Sequence, residues 1–397
     1  MKITAINGYH LALPQAPTTL CRGVEDYSGH LYRDISEKDA CKPSPIMTYL
    51  VEVQTDAGIT GYGEVASPNG ARGALRMAGE NLIGRDPLEI QHNMQELLGG
   101  TAAKNPRLPL VREHMALEFA MWDIAGKNAG LPVYNLLGGR VREKQAISLI
   151  VGQKPIDACL SEIDGAIKAG IRTIKVQAGA NDQRDVELLR QIREQFGWEL
   201  ILRVDAGRAW GDVTDAVRIL KQMSPYNLQY IEDGLNRADG NRYRRLREMT
   251  GIPICMSDSF NGNGVMNAHD ALTKLADLIR SDAVDVLGVN PTQTGGILGF
   301  TQVAAFCEAA GVEVVLHHAL AGLSQSIWLT AASTCYSCDY AQDILSAGQT
   351  GNSADDILVV PLTHKGGFMC PPADAGFGVE INWDNVRKYC LNTECTG

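Results

Sequence analysis

The stretch Leu200-Ile-Leu-Arg-Val-Asp205 sets a mostly apolar run in front of one carboxylate, and the pattern returns in Leu228-Gln-Tyr-Ile-Glu-Asp233 and Ile252-Pro-Ile-Cys-Met-Ser-Asp258. Working outward, comparable runs are Ala146 to Val151 and Thr173 to Gln177 upstream, then Ala283 to Asn290 and Val312 to His318 downstream. Helical stretches of roughly ten to fifteen residues separate them. Repeated βα units of near-constant length over about 200 residues argue for a parallel sheet closed as a barrel. An open doubly wound sheet is the alternative, disfavoured because no glycine-rich dinucleotide turn follows the first strand.

The segment before these units reads differently. Lys2 to Leu13 alternates as a strand does, and Met47 to Thr55 and Ile59 to Val65 flank an Asp56-Ala-Gly58 turn. Between them, Pro14 to Pro45 is a polar run carrying Arg22, Tyr27, His30, Tyr32, Arg33 and Lys42 without an apolar period. A loop of this length is a functional lid or a disordered segment. From Ala71 to about Leu137 the pattern is helical, strongest over Val111 to Lys127 and stopped by Gly130-Leu-Pro132. An antiparallel sheet followed by helices makes an α+β domain.

Composition narrows the function. The 397 residues carry 36 Lys and Arg against 46 Asp and Glu, a net charge of −10. An acidic chain repels phosphate backbones and anionic lipid, so neither nucleic acid nor a membrane surface is the expected partner. No apolar run is long enough to span a bilayer and no signal-peptide core opens the chain, so a cytoplasmic location is expected. The ten cysteines are scattered, which favours reduced thiols over a disulfide framework. Cys335 and Cys338 form the one C-x-x-C pair; with no second ligand pair, they read as small buried side chains near a strand.

In a barrel the C-terminal strand ends face the active site. Those positions are Lys175 and Gln177, Asp205, Glu232, Asp258, Asn290 and His317, at intervals of 30 (from Lys175), 27, 26, 32 and 27 residues. One polar strand end is an ordinary turn-former or cap. Carboxylates converging from successive strands repel each other unless a cation neutralises them. Asp205, Glu232 and Asp258 are hard oxygen ligands without Cys or His, a set that suits Mg²⁺. Taken singly, Asp205 is also a turn residue and Asp258 a helix cap. Lys175 and His317 would face the metal from opposite sides, the lysine as a base with a depressed pKa and the histidine as a group titrating near neutrality. Their bland readings are a structural salt bridge and a satisfied core histidine. His318 points to the other face if His317 points inward.

These residues resemble the enolase superfamily, and within it the mandelate racemase branch. Trp122-Asp-Ile-Ala-Gly126-Lys with Leu136-Leu-Gly-Gly139 is similar to the junction between capping domain and barrel, and Gly61-Tyr-Gly-Glu64 to a capping-domain turn. Gly376-Phe-Gly378-Val resembles the C-terminal return to the cap. Val204-Asp205, Ile231-Glu232 and Pro253 with Asp258 line up with the three Mg²⁺ ligands. The resemblance implies a modified (β/α)8 barrel of (β/α)7β type in residues 139–365, an α+β capping domain in 1–138 with a specificity loop at 14–45, and a return segment in 366–397. It also implies a homo-oligomer acting on a small carboxylate through Mg²⁺ and an enediolate, chemistry that is a standard example of pKa-tuned catalysis.

Two departures bear on the reaction. The family's Lys-x-Lys is here Lys175-Val-Gln177, and the aspartate it pairs with the strand-seven histidine is here Asn290. Gln177 takes no proton, and an Asn partner does not stabilise an imidazolium as a carboxylate does. The expected activity is dehydration of an acid-sugar-type hydroxy acid, with His317 as acid and base, Lys175 in support, and Arg22, Tyr27 and His30 of the loop binding hydroxyl groups. Racemisation, epimerisation or cycloisomerisation is the enzyme alternative. A catalytically degenerate binding or regulatory protein is the alternative of another class.

Overall fold

The computed structural model describes residues 1–13, 45–66, 74–104, 112–152, 154–236, 240–261, 266–317, 322–344 and 357–396. The chain opens with β1 (Ile3–Leu13), β2 (Ile46–Thr55) and β3 (Thr60–Ala66), then α1 (Ala74–Leu82), α2 (Ile90–Lys104), α3 (Glu113–Ala129) and α4 (Val133–Leu136). The alternating part runs β4 (Gln145–Ala146), β5 (Ser148–Val151), α5 (Ile156–Lys168), β6 (Thr173–Gln177), α6 (Asp182–Phe196), β7 (Ile201–Asp205), α7 (Val213–Met223), β8 (Leu228–Glu232) and α8 (Gly240–Thr250). It continues with β9 (Ile254–Met256), α9 (Asp258–Asn261), α10 (Ala268–Arg280), β10 (Val286–Val289), α11 (Gly296–Ala310), β11 (Glu313–Leu316) and α12 (Leu323–Ser333). The closing elements are β12 (Phe368–Met369), α13 (Trp383–Tyr389) and β13 (Cys390–Thr396).

The first three strands and β13 form a four-stranded antiparallel sheet in the order β13-β1-β2-β3, with Ile6 opposite Thr396 at its C-terminal edge. Gly58, at φ +74, supplies the left-handed residue that the β2–β3 turn needs. α3 lies directly on β3. A Cβ at Gly63 would fall 1.9 Å from the Ala116 carbonyl oxygen, and one at Gly61 2.1 Å from that of Ala120, so only glycine allows this backbone contact.

Strands β5 to β11 form a seven-stranded parallel sheet in sequence order, with helices between them. Each helix packs by one apolar stripe: α7 buries Val213, Ala216, Val217 and Leu220, and Asp212 caps its first turn by accepting from the Thr214 and Asp215 N–H groups at 2.7 and 3.0 Å. The gap between β11 and β5 is filled by Ser337 to Asp343. The Val314 N–H donates to Ser337 O (2.7 Å) and the Asp343 N–H to Leu316 O (3.1 Å) on one side, and the Ser148 N–H to Gln342 O (3.0 Å) on the other. This segment is the eighth stave, which completes a (β/α) barrel under an α+β cap. Inside it Tyr230, Cys255, Val286 and Val315 pack as a cluster with Tyr340 against them.

All seven runs expected to be barrel strands keep their places within a few residues; Ile252 to Asp258 contracts to β9, which stops at Met256, and Asp258 starts α9. The cause is Asp233, whose Oδ1 accepts from the Ser257 and Ser259 N–H groups at 3.0 and 3.2 Å and folds the chain into that helix. Among the described residues no helix is long and apolar enough to cross a membrane.

Candidate active site

Side chains two apart on a strand share a face, so Lys175 with Gln177, Arg203 with Asp205 and Tyr230 with Glu232 point the same way. The strand register sets Gln177 beside Asp205 and Asp205 beside Glu232. Lys175 Nζ lies 2.7 Å from Glu232 Oε2, 2.9 Å from Asp343 Oδ2 and 3.4 Å from Asp205 Oδ2, at 3% exposure. Burial alone would lower the Lys175 pKa, but Asp343, Glu232 and Asp205 overcome it and hold it well above its ordinary value. This corrects the expectation of a depressed lysine: its nearest charged groups are carboxylates.

Asp343 is the residue the strand-end reading missed. It lies 26 residues after His317, within the range of the earlier intervals, and that spacing is the signal that could have found it. Its Oδ1 accepts from Ser148 Oγ (2.5 Å) and lies 3.5 Å from Arg203 Nη1, while its Oδ2 faces Lys175. Burial works to raise its pKa, yet Lys175, His317 and Arg203 keep it well below the usual carboxylate range. Arg203 is fully buried, donates to Gln229 Oε1 and Ala341 O at 2.7 Å each, and sits over the rings of Tyr230 and Tyr340. It is a fixed positive charge beneath the mouth.

His317 follows β11 and is 1% exposed. Trp328 Nε1 donates to its carbonyl oxygen (2.9 Å), Ser257 Oγ lies 3.0 Å from Nδ1, and Glu232 Oε1 lies 3.4 Å from Nδ1. Nε2 is 3.5 Å from Asp343 Oδ2, the atom that also faces Lys175. The two residues expected on opposite sides therefore converge on one carboxylate. Burial first, and Lys175 second, push the imidazole pKa down to about 3, which leaves it neutral. Room for the ring comes from Gly288 on β10: a Cβ there would stand 2.7 Å from both Cε1 and Nε2. Asn290 does not serve the ring. Its side-chain oxygen accepts from the Thr292 hydroxyl and its N–H donates to Gln293 Oε1 (3.2 Å), closing the turn after β10.

The donor set fits a hard cation. Burial and the Asp205 carboxylate raise the Glu232 pKa well above its ordinary value, with Lys175 opposing, so this carboxylate pair has less positive charge than it needs. Asp205 Oδ1 also accepts from the Gly207 N–H (2.9 Å), so it is both turn residue and mouth carboxylate. Asp258 stands at the start of α9; its side chain, like the loop residues Arg22, Tyr27 and His30, lies outside the described residues. Among the described residues, Glu232, Cys255 and His317 also place ligand atoms within 4.8 Å of one another.

Two other carboxylates, Glu118 and Glu64, fasten the cap to barrel helices, and a third, Asp123, fastens the C-terminal return to the cap. Glu118 of α3 accepts from the Ile297 and Leu298 N–H groups (3.1 and 3.2 Å) at the start of α11 and from Trp122 Nε1 (2.9 Å). Asp123 accepts from the N–H groups of Tyr62 (3.0 Å) and Phe377 (2.9 Å) and pairs with Lys127 at 2.6 Å. Glu64 accepts from Thr48 Oγ1 (2.7 Å) and from the Ser324 N–H (3.0 Å) at the start of α12. The Trp122-Asp-Ile-Ala-Gly126-Lys and Gly61-Tyr-Gly-Glu64 stretches are thus the joint itself.

A closed (β/α) barrel under an α+β cap, with carboxylates, a lysine and a histidine gathered at its strand ends, defines a class of barrel enzymes. A family model described as "Enolase C-terminal domain-like" matches residues 158–385, and one described as "Mandelate racemase / muconate lactonizing enzyme, N-terminal domain" matches 46–138. The chain belongs to the enolase superfamily, in its mandelate racemase/muconate lactonizing enzyme family of enzymes. It is 24% identical to N-succinyl-L-Arg/Lys racemase of Bacillus cereus over 98% of each chain. To D-galactonate dehydratase of Klebsiella pneumoniae it is 26% identical over 85% of this chain and 89% of the relative. The structure of L-talarate dehydratase from Polaromonas sp. JS666, complexed with Mg and L-glucarate, superposes with a TM-score of 0.78 at 23% identity, covering 100% of this chain and 99% of that one.

Proposed function

We propose that this chain is a Mg²⁺-dependent lyase that removes the proton α to a carboxylate and eliminates water from an acid-sugar-type hydroxy acid through an enediolate. The supporting observation is the inequality of the two candidate bases. Lys175 pairs at 2.9 Å with Asp343, a carboxylate outside the expected metal set, Gln177 has no basic atom, and His317, with Ser257 Oγ 3.0 Å from its Nδ1, is the strand-end imidazole able to take up a proton. Dehydration can run on one such group, which takes the α-proton and then, as imidazolium, protonates the departing hydroxyl. Asp205, Glu232 and Asp258 would hold Mg²⁺, which supplies Lewis-acid stabilisation of the charge developing on the substrate carboxylate. Lys175 adds a second positive charge to that end of the substrate, and Asp343 with Arg203 keeps the ammonium in place.

The full-length likeness to a racemase favours a second reading, in which Lys175 gives up its proton and serves as a base on the other face of an epimerisable carbon. Aldonic and aldaric acids screened with Mg²⁺ in D₂O separate the readings. Formation of 2-keto acid that is lost in His317→Asn supports the lyase. Deuterium exchange with inversion and no keto acid, abolished by Lys175→Met, replaces it with the epimerase. Mg²⁺ binding without exchange for any carboxylate makes the chain a binding protein.

A further inference from the structure

Below the barrel mouth, α12 ends at Ser333 and the chain turns through Cys335-Tyr-Ser-Cys338 before rising as the eighth stave. The Cys338 N–H donates to Cys335 O at 3.3 Å, the bond of a four-residue turn. Such a turn holds its end Cα atoms within about 7 Å, while a disulfide spans about 4.4–6.8 Å between Cα atoms. Arg142 locks the turn by donating to the carbonyl oxygens of Ala332 (3.1 Å), Cys335 (2.6 Å) and Tyr336 (3.0 Å). The turn thus carries a cysteine at each end, and the Thr334 hydroxyl lies 3.7 Å from the Cys335 sulfur.

Cys335 also differs from the other buried cysteines in its electrostatics. Burial pushes the Cys307 thiol up to about 12 and raises Cys159 and Cys255 as well. Cys335 is shifted the other way: the thiol of Cys338 lowers its pKa, burial opposes, and Thr334 and Arg142 assist. A stabilised thiolate beside a second thiol is the arrangement of a reactive dithiol. Cys335 is 8% exposed and Cys338 fully buried, so the sulfur is open only to a small oxidant.

We propose that Cys335 and Cys338 form a reversible disulfide, with hydrogen peroxide or a similarly small hydroperoxide as oxidant, and that the bond loosens the eighth stave against the strand that carries His317. The Cys335 thiolate attacks one peroxide oxygen and the O–O bond breaks, leaving a sulfenic acid and a hydroxide that takes up a proton. The Cys338 sulfur then displaces the sulfenic hydroxyl, which leaves as water with the Cys338 proton. Two thiols lose two electrons and the peroxide is reduced to two waters.

The link to the site runs through Gln342. Its Nε2 donates to Cys338 O (3.3 Å) and Tyr340 O (2.6 Å), and its Oε1 accepts from the Leu316 N–H (2.6 Å), one residue before His317. Gln145 Nε2 also donates to Cys338 O (3.2 Å). Drawing the Cys338 sulfur onto Cys335 moves the carbonyl that anchors both amides.

The test uses the full chain, treated with hydrogen peroxide, alkylated with N-ethylmaleimide and digested for mass spectrometry, with amide hydrogen exchange measured on the same samples. The expected result is an internal Cys335–Cys338 link that dithiothreitol reverses, with faster exchange in the peptide containing Leu316. Cys338→Ser should show neither, and should instead accumulate a sulfenic acid on Cys335 that dimedone traps. Both thiols remaining alkylated after peroxide, or a link that leaves Leu316 exchange unchanged, would overturn the proposal.

Discussion

Two sets of three buried or half-buried carboxylates organise this protein, and they are treated in opposite ways. At the joint, Glu64, Glu118 and Asp123 each accept from backbone N–H groups of an element they fasten. At the mouth, Asp205, Glu232 and Asp343 share one ammonium. A carboxylate satisfied by fixed donors holds elements together; one left short of positive charge stores a demand for a cation. The same residue type therefore marks architecture in one place and chemistry in the other.

The largest test of this contrast is Glu232→Gln. It should lower turnover by about 10³-fold or more, as expected when one group that stabilises transition-state charge is lost, with a melting temperature equal to or above that of the parent by calorimetry. Next is Asp123→Ala at the joint. It removes the ion pair of Lys127, which keeps its bond to Thr60 O, and leaves two buried backbone N–H groups without their acceptor, so it should cost about 3 kcal/mol in chemical denaturation, with the strand-end geometry unchanged by crystallography.

Gly288→Ala, a smaller perturbation, pushes on the imidazole and should lower kcat by about 10²-fold, the effect of a misplacement near 1 Å, while KM changes little. The subtlest test is pH. Burial pushes the Glu118 pKa up to about 7, opposed by the Ile297 and Leu298 N–H groups and by Trp122. A carboxyl whose folded pKa lies above its unfolded one binds more protons when folded, so its contribution to stability falls as pH rises from the ordinary carboxyl range to about 7. The slope is at most about 1.4 kcal/mol per pH unit. Denaturation of the parent and Glu118→Gln at a series of pH values should differ in slope within that window and run parallel above it.

The barrel was legible because its strand ends repeat at near-equal spacing, and the hairpin because a glycine turn separates two alternating runs. The eighth stave was not legible. Tyr340-Ala-Gln-Asp343 has no apolar run, since Gln342 is buried there as a hydrogen-bonding amide, and only the interval from His317 pointed to it. The strand-end carboxylates Asp205 and Glu232 could be picked from sequence, but the collapse of Lys175 and His317 onto Asp343 could not, because it depends on side-chain reach across the barrel. The glycine in Val286-Leu-Gly-Val289 carried a signal that the strand reading passed over: a glycine inside a strand marks a close approach. Glu118 lies in a helix 179 positions before its partner Ile297, and no local pattern reveals such a clasp.

The outer strand of the cap carries a consequence for the chain as it is made. β1 leaves the ribosome before the rest of its sheet, and its neighbour β13 comes only from residues 390–396. Until those residues emerge, β1 has one row of unpaired N–H and C=O groups, and β5 and β11 each have another until Ser337 to Asp343 arrives to close the barrel. Three open edges then coexist in a nascent protein, each a template for pairing with a neighbouring chain. Interrupted translation anywhere in the last stretch would release a fragment with most of its core formed and the cap edge still bare.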